Sequence, residues 1–230
     1  LSTDGGATWR QGYLKPSDQN PANSLIPKGK AYHGAGLENT SCWGLTWSDS
    51  RNIWGSCTDI RGIRSADAGA TWSFNYTGHT ENTAYHCVRH PATGALYLAS
   101  STVHDLYEST YLTDARIDGG DGRVLISNDK GGTWQLIHDF GHPVVWLSLD
   151  PGRPNTLFAS VVHSADGGIY VSHDIDKGPS SAWSKLALPP RTEGHPFVIQ
   201  VLNDGTLVCT YSGRRTTHFT DSSGVFVSAN

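Results

Sequence analysis

The chain has 230 residues, 37% of them hydrophobic and 17% charged, with 26 Gly, 11 Pro, 8 Trp and no Met. A net charge of −4 gives no global basic field for nucleic acid, no apolar run approaches the roughly 18 residues of a membrane span, and 10% aromatics without charge blocks exclude a disordered chain. Low apolar content beside abundant Gly and Trp points to many short strands and turns.

In chain order, Ser2-Thr-Asp-Gly-Gly-Ala-Thr-Trp9 opens with a turn, and a strand is expected over 9–14. After a loop at 15–42, two apolar strands fill 43–57, and a third follows at 62–65. The turn recurs as Ser65-Ala-Asp-Ala-Gly-Ala-Thr-Trp72, with a fourth strand beginning at Trp72. The frame then repeats: two strands over 85–101 turning at His90-Pro-Ala-Thr-Gly94, a long loop at 100–122, and a strand at 123–127. Ser127-Asn-Asp-Lys-Gly-Gly-Thr-Trp134 follows, and a fourth strand starts at Trp134. The third unit has strands over 144–162 and 168–172, then a degenerate turn from Ser172-His-Asp174 that reaches its Trp only at Trp183. The last has strands over 197–211 and 224–228, and Val227-Ser-Ala-Asn230 opens another copy.

The shared pattern is Ser-x-Asp-x-Gly-x-Thr-Trp, carried by Ser2, Asp4, Gly6, Thr8 and Trp9, by Ser65, Asp67, Gly69, Thr71 and Trp72, and by Ser127, Asp129, Gly131, Thr133 and Trp134. Its chemistry is local. Asp accepts backbone N–H groups within the turn, Gly permits positive φ, Thr returns the chain to a strand, and Trp packs between sheets. These residues are therefore expected to fold the chain and not to catalyse. Four antiparallel strands per repeat make the blade of an all-β propeller, with four repeat periods visible. The blades are expected at about 43–84, 85–143, 144–196, and 197–230 joined by 1–14. Either the N-terminal strand completes the last blade and closes a four-bladed ring, or 1–230 is a contiguous section of a larger propeller. The absence of Met and the start at Leu1 favour the section.

The pattern resembles the Asp-box, or BNR repeat, of β-propellers such as sialidases, xyloglucan-degrading glycoside hydrolases, sortilin-type receptors and photosystem assembly factors. The resemblance implies the fold and says little about activity. The sialidase Phe/Tyr-Arg-Ile-Pro motif is absent from the sequence. Thr58-Asp-Ile-Arg-Gly-Ile-Arg-Ser65 is similar to the Thr-Asp-Ile-Gly-Gly-x-Tyr-Arg-Ser run of xyloglucanase-type propellers, where one such Asp is catalytic. That likeness makes Asp59 a catalytic candidate, although Arg61 replaces a Gly and the run is one residue shorter.

Antiparallel alternation places the loops after strands two and four on one face. They carry His33, His79, Glu81, Asp59, His104, Asp105, Glu108, His138, Asp139, His142, His163, Asp166, Glu193, His195, Arg214, Arg215 and His218. Within the 100–122 insertion, His104, Asp105, Tyr107, Glu108 and Tyr111 suit a sugar, since rings cover a pyranose face and carboxylates accept from its hydroxyls. Hydrolysis needs a second carboxyl, for which Asp105 and Glu108 are the nearest candidates. Arg214 and Arg215 could clamp a carboxylate, although neighbours in a loop rarely aim at one ligand. Ile117-Asp-Gly-Gly-Asp121 offers oxygens to Ca²⁺ without the spacing of a calcium loop, so a plain turn is the expectation. No metal-ligand spacing occurs elsewhere, and no cofactor is expected.

Cys42 and Cys57 are symmetric about the Asp49-Ser50 turn, which puts them opposite each other as a disulfide or as two thiols. Asn39-Thr-Ser and Asn75-Tyr-Thr are glycosylation sequons, and a secreted or cell-surface location is expected. Two functions fit. One is an extracellular propeller that binds a polysaccharide or glycan, with hydrolysis as an extension. The other is a non-catalytic structural or protein-interaction propeller in an extracellular assembly.

Overall fold

A computed structural model describes residues 1–34, 40–106, 112–214 and 221–228. It is an all-β propeller arrangement of four antiparallel sheets. The first comprises β1 (Cys42–Trp47), β2 (Ile53–Cys57) and β3 (Gly62–Ser65). The second comprises β4 (Thr83–Arg89), β5 (Leu96–Ser101), β6 (Arg123–Ser127) and β7 (Gln135–Asp139). The third comprises β8 (Val144–Leu149), β9 (Leu157–Val161), β10 (Gly168–Ser172) and β11 (Ser184–Lys185). The fourth comprises β12 (Pro196–Val201), β13 (Leu207–Tyr211) and β14 (Gly224–Ser228). No helix among the described residues is long and apolar enough to cross a membrane.

The fourth strands are less regular than the sequence suggests. In the first sheet, only a bridge between Arg64 and Ser73 holds that place, and Tyr32 bridges Trp72 outside it. In the fourth sheet, β14 pairs with β13 alone among the described residues. Residues 9–14, expected as a strand beside the last sheet, instead bridge Gly34 through Leu14.

The repeat turn is the same hydrogen-bonded device wherever it is complete. At the third copy, Ser127 Oγ accepts from Gly131 N at 2.8 Å, and Asp129 accepts from Thr133 N at 2.7 Å and from Thr133 Oγ1 at 2.9 Å. The copies at Ser65 and Ser2 repeat these bonds. Two successive residues take positive φ there, Lys130 at 63° and Gly131 at 83°, and the glycine makes the second one free of Cβ strain. In the degenerate copy the turn survives an insertion. A 3₁₀ stretch over Ile175–Ser180 loops out, and Asp174 still accepts the N–H of Ala182, one residue before Trp183. Replacing Asp67 with alanine removes both bonds to Thr71 and the one from Ser65, so urea unfolding should register a loss of about 1–3 kcal/mol. Ala66→Ser, at an exposed position of the same turn, should leave stability unchanged.

Packing follows the turns. Trp54, Trp134, Tyr76, Leu96 and Leu98 fill the space between the first and second sheets. Tyr97, Val124, Ile137, Leu147 and Leu157, with Trp183 beside them, join the second to the third. Phe158, Ile169, Val171, Ile199 and Tyr211 join the third to the fourth.

One end of the propeller is built differently. The pairs Cys42↔Cys57, Thr83↔Ser101, Val144↔Val161 and Pro196↔Tyr211 bring the starts of the first strands to the ends of the second strands at this end. All four first strands then break register within the next few residues. Such bulges bend a strand and re-aim its side chains. Here Trp43, Tyr85, Val145 and Phe197 lie at the bulges and join one axial cluster with Leu106, Ile117 and Val162. The first and fourth sheets meet in it, where the Trp43 and Phe197 rings stand 6.1 Å apart.

Cys42 and Cys57 face each other in register as the hairpin symmetry requires, and they are thiols in the structure. A hydrogen bond with Cys57 brings the Cys42 thiol down to about 6. Cys87 and Cys209 are buried thiols.

Candidate binding face

The long insertion supplies an element that the sequence reading took for a loop. A short helix, α1 (Asp114–Asp118), starts at Thr113, whose side chain accepts the Arg116 N–H. Ile117 anchors it in the axial cluster with no exposure, so the helix sits over the aromatic floor. Its three charged side chains each reach a different partner. Asp114 meets the Arg214 guanidinium at 2.5 Å and stands 3.6 Å from His195 Nε2. Arg116 meets His104 Nε2 at 3.2 Å. Asp118 accepts from Ser164 N at 2.8 Å and from Ser164 Oγ at 2.5 Å, and lies 3.8 Å from His163 Nε2.

The most accessible group on this face is Asp59, His104, Asp105 and Arg116, each with about a third to a half of its side chain exposed. Arg116 donates to His104 Nε2, which leaves the ring proton on Nδ1, facing Asp105 Oδ2 at 2.6 Å and Asp59 Oδ1 at 3.5 Å. Two carboxylate oxygens at those distances from one nitrogen lie within about 6 Å of each other. Asp59 and Asp105 both have φ of 64°, and Arg61 has 70°. Left-handed backbone at a non-glycine residue is costly and gathers where surrounding structure imposes it.

A second group imposes it here. Arg61 N donates to Asn82 O, and His79 Nε2 lies 3.4 Å from Arg61 O. His79 Nδ1 in turn faces Glu81 at 3.0 Å, and Arg123 bridges Glu81 and Asp139. Burial alone would push Glu81 up, but hydrogen bonding from His79 and the charge of Arg123 hold it down at about 2. Glu81 is thus a committed acceptor, and the group serves as a buttress for the Asp59 loop.

His142, His163 and Asp166 bring ligand-type atoms within 4.8 Å of one another. His163 Nδ1, however, accepts the N–H groups of Ala165 and Asp166 at 3.2 and 2.9 Å. Its proton is therefore on Nε2, towards Asp118, and the ring caps a turn, as His90 Nδ1 does for Ala92 and Thr93. The donor set does not fit a metal ion. His195 is buried, and neither of its ring nitrogens has a hydrogen-bond partner among the described residues. Burial and the Arg214 charge lower it to about 4.

Of the residues proposed from sequence, Asp59, His104 and Asp105 come together, and Arg214 sits on the opposite side of α1, bound to Asp114. His33 pairs instead with Asp18, and His138 meets Phe140 edge-on. Tyr107, Glu108, Tyr111, Arg215 and His218 lie outside the described residues, as does Asn39. In the 117–121 segment, expected as a plain turn, Asp118 belongs to α1 and holds Ser164, and Asp121 N donates to Thr102. Asp114, Arg116 and Arg123 were missed, and the part Asp118 plays on a helix was not foreseen. Thr113 ahead of Asp114, with Asp118 four residues on, was the available signal for a capped turn of helix.

No family model matches the chain, and no curated protein matches it in sequence. Among solved structures it is similar to a gluconolactonase from Xanthomonas campestris, at 16% identity and a TM-score of 0.53 over 76% of this chain and 54% of that one. It is also similar to a GH74 enzyme from Niastella koreensis, at 14% identity and a TM-score of 0.53 over 81% and 28%. A GH74 xyloglucanase from Xanthomonas campestris matches at 14% identity and 0.50, over 78% and 28%. The chain thus spans about half the length of the gluconolactonase and under a third of the GH74 enzymes. Likeness at these identities establishes the propeller fold.

Proposed function

We propose that this chain is an Asp-box propeller acting outside the cell, and that it binds carbohydrate at the rim around α1. The observation that carries this reading is the exposed Asp59–His104–Asp105–Arg116 group, set on strained, buttressed backbone beside an aromatic floor. Carboxylates and a guanidinium in fixed positions suit sugar hydroxyls, and preformed geometry limits the entropy lost on binding. The fold shared with gluconolactonase and GH74 structures supports the substrate class by analogy alone. Tyr107, Glu108, Tyr111 and Arg215, outside the described residues, are assigned to the same ligand on the sequence pattern alone.

Retention on an immobilised polysaccharide panel that includes xyloglucan tests the proposal. Binding should weaken about tenfold in Asp59→Asn and in His104→Ala, each losing at least one charge-assisted contact. Tyr107→Ala and Tyr111→Ala should weaken it as well. No retention on any polysaccharide would remove the reading. Asp59 and Asp105 face the same His104 nitrogen and stand within about 6 Å of each other, close enough to meet one small ligand. If turnover is found, Asp59→Asn should reduce it at least about 100-fold with binding measurable.

A protein-interaction role draws on a different observation, the exposed Leu45 and Trp47 of β1 and Val225 and Val227 of β14. Stable co-purification of another chain that survives Asp59→Asn but not Trp47→Asp would favour it.

A further inference from the structure

Two of the four cysteines stand in register, Cys42 on β1 opposite Cys57 on β2. The bond beside them fixes the kind of rung. Thr58 N donates to Ser41 O at 3.0 Å, one residue outside the pair, so Cys42 and Cys57 form a non-hydrogen-bonded pair. Such pairs hold their Cα atoms about 4.5 Å apart and bring their side chains closest together. That spacing lies at the short end of the roughly 4.4–6.8 Å that a disulfide spans. The two thiols are already in contact. A hydrogen bond from Cys57 lowers Cys42 to about 6, so at neutral pH Cys42 holds the thiolate and Cys57 the proton. Burial raises the other two thiols, Cys209 and Cys87, the latter to about 12.

The pair sits where the first sheet gives way to the binding face. β1 bulges at Trp43, so the ladder breaks between Cys42 and Gly44 and the outermost rung is set apart from the rest. Beyond the cysteines the two segments are joined by Thr58 N to Ser41 O, by Thr58 Oγ1 to the same oxygen at 3.4 Å, and by Thr40 Oγ1 to Thr58 O. Thr58 is in turn the first residue of the Asp59 loop. Ile60 N donates to Thr58 O at 2.7 Å and Gly62 N to Ile60 O at 2.8 Å, which closes two three-residue turns centred on Asp59 and Arg61. With φ of 64° and 70°, these are the rare, strained form of that turn. Strain of this kind persists only while the surrounding structure, here Thr58 against residues 40–41, keeps its place.

We propose that Cys42 and Cys57 are a reversible redox site, which a low-molecular-weight disulfide closes into a bridge and a thiol reopens, and that the bridge pins the base of the Asp59 loop. The Cys42 thiolate attacks one sulfur of the small disulfide, that S–S bond breaks, and the leaving thiolate takes a proton from solvent. Cys57 then gives its proton to water and attacks Cys42 Sγ, expelling the second small thiolate, which is protonated in turn. Two protein thiols and one small disulfide become one protein bridge and two small thiols, with two electrons passing to the small disulfide. A bridge closed at short Cα spacing is strained and more readily reduced, so excess thiol reverses the step.

Treating the folded chain with oxidised glutathione, then unfolding, alkylating and weighing it, tests the site. The expected product is about 2 Da lighter before alkylation, yields a crosslinked Cys42–Cys57 peptide, keeps Cys87 and Cys209 as thiols, and returns to four thiols in excess reduced glutathione. Hydrogen exchange at the Ile60 and Gly62 amides should slow by about tenfold or more in the bridged chain. In Cys42→Ser the same treatment should leave that exchange unchanged. A chain that keeps all four thiols, one that stops at a glutathione adduct on Cys42, or one whose bridge survives excess reduced glutathione overturns the redox site. A bridge that forms without slowing exchange at Ile60 and Gly62 overturns its hold on the Asp59 loop. None of these readouts involves a sugar, so their outcome is independent of carbohydrate binding.

Discussion

Replacing Trp54 with alanine should destabilise the fold by about 3–5 kcal/mol, among the largest single losses available in this chain. The side chain is fully buried, and its ring meets Trp134 edge-on at 4.8 Å and Tyr76 at 4.9 Å. Truncation would leave a cavity walled by the turn that closes the second sheet, so the damage reaches Ser127 and Asp129 as well as the interior. Gly131 bears on this directly, since a Cβ there would stand 3.2 Å from the Trp54 ring. Urea unfolding monitored by circular dichroism measures the loss. Trp54→Phe should recover a good part of it by keeping a ring against Trp134. If Trp54→Ala costs under about 1 kcal/mol, the interface between first and second sheets is not the cooperative core described above. Trp9→Ala in the isolated molecule should be close to neutral, because that indole is exposed.

The contrast between Trp134, which is 3% exposed, and Trp9, which is 76% exposed, in the same sequence pattern shows where the sequence was informative. Ser-x-Asp-x-Gly-x-Thr-Trp is a local code, and local hydrogen bonds realise it in the same way at Ser2, Ser65 and Ser127. The third strands at 62–65, 123–127, 168–172 and 224–228 were legible because each runs straight into a turn signal. Whether the tryptophan finds a partner depends on the neighbouring sheet, which local pattern does not encode. The face was legible for a similar reason. Antiparallel alternation put Asp59 and His104 at one end, and their contact followed once the strands were placed. What alternation does not show is the bulge in all four first strands. Those bulges arise where four strands crowd one axis, and they decide that Trp43 and Tyr85 form a floor. Helix α1 escaped notice because five residues are too few for a 3.6-residue period to declare itself. With it went Asp114, Arg116 and Asp118, the side chains that tie His195, His104 and His163 together.

Lowering the pH from 7 to 4.5 should weaken the fold by several kcal/mol, through histidines that the folded state keeps neutral. His86 lies flat on Trp146, ring centroids 3.7 Å apart and planes 8° apart, and burial lowers it to about 4. His195, lowered to about 4 by burial and then by the charge of Arg214, behaves alike. Burial moves His138 and His142 in the same direction. An unfolded histidine titrates near 6.5. Above that value both states are neutral, and the full stability is present. Between about 6.5 and 4 the unfolded chain takes up protons that folded His86 and His195 refuse, so stability falls as pH falls. Down to pH 4.5 the loss is about 2–3 kcal/mol for each of these two residues, at about 1.4 kcal/mol per pH unit. Carboxylates act later. Glu81, held at about 2, contributes stability that begins to be lost only as its unfolded counterpart takes up protons near 4.3 and below. The window from 6.5 to 4.5 therefore belongs to histidine. His86→Phe keeps a ring on Trp146 and removes the titration, at the cost of the acceptor for Leu147 N at 3.4 Å. It should be somewhat less stable than the parent at pH 7, yet lose about 2–3 kcal/mol less on going to pH 4.5, as read by urea unfolding at the two pH values. An unchanged pH slope in His86→Phe would mean that His86 takes its proton in the folded state as readily as in the unfolded one, and that the stack on Trp146 admits the charge.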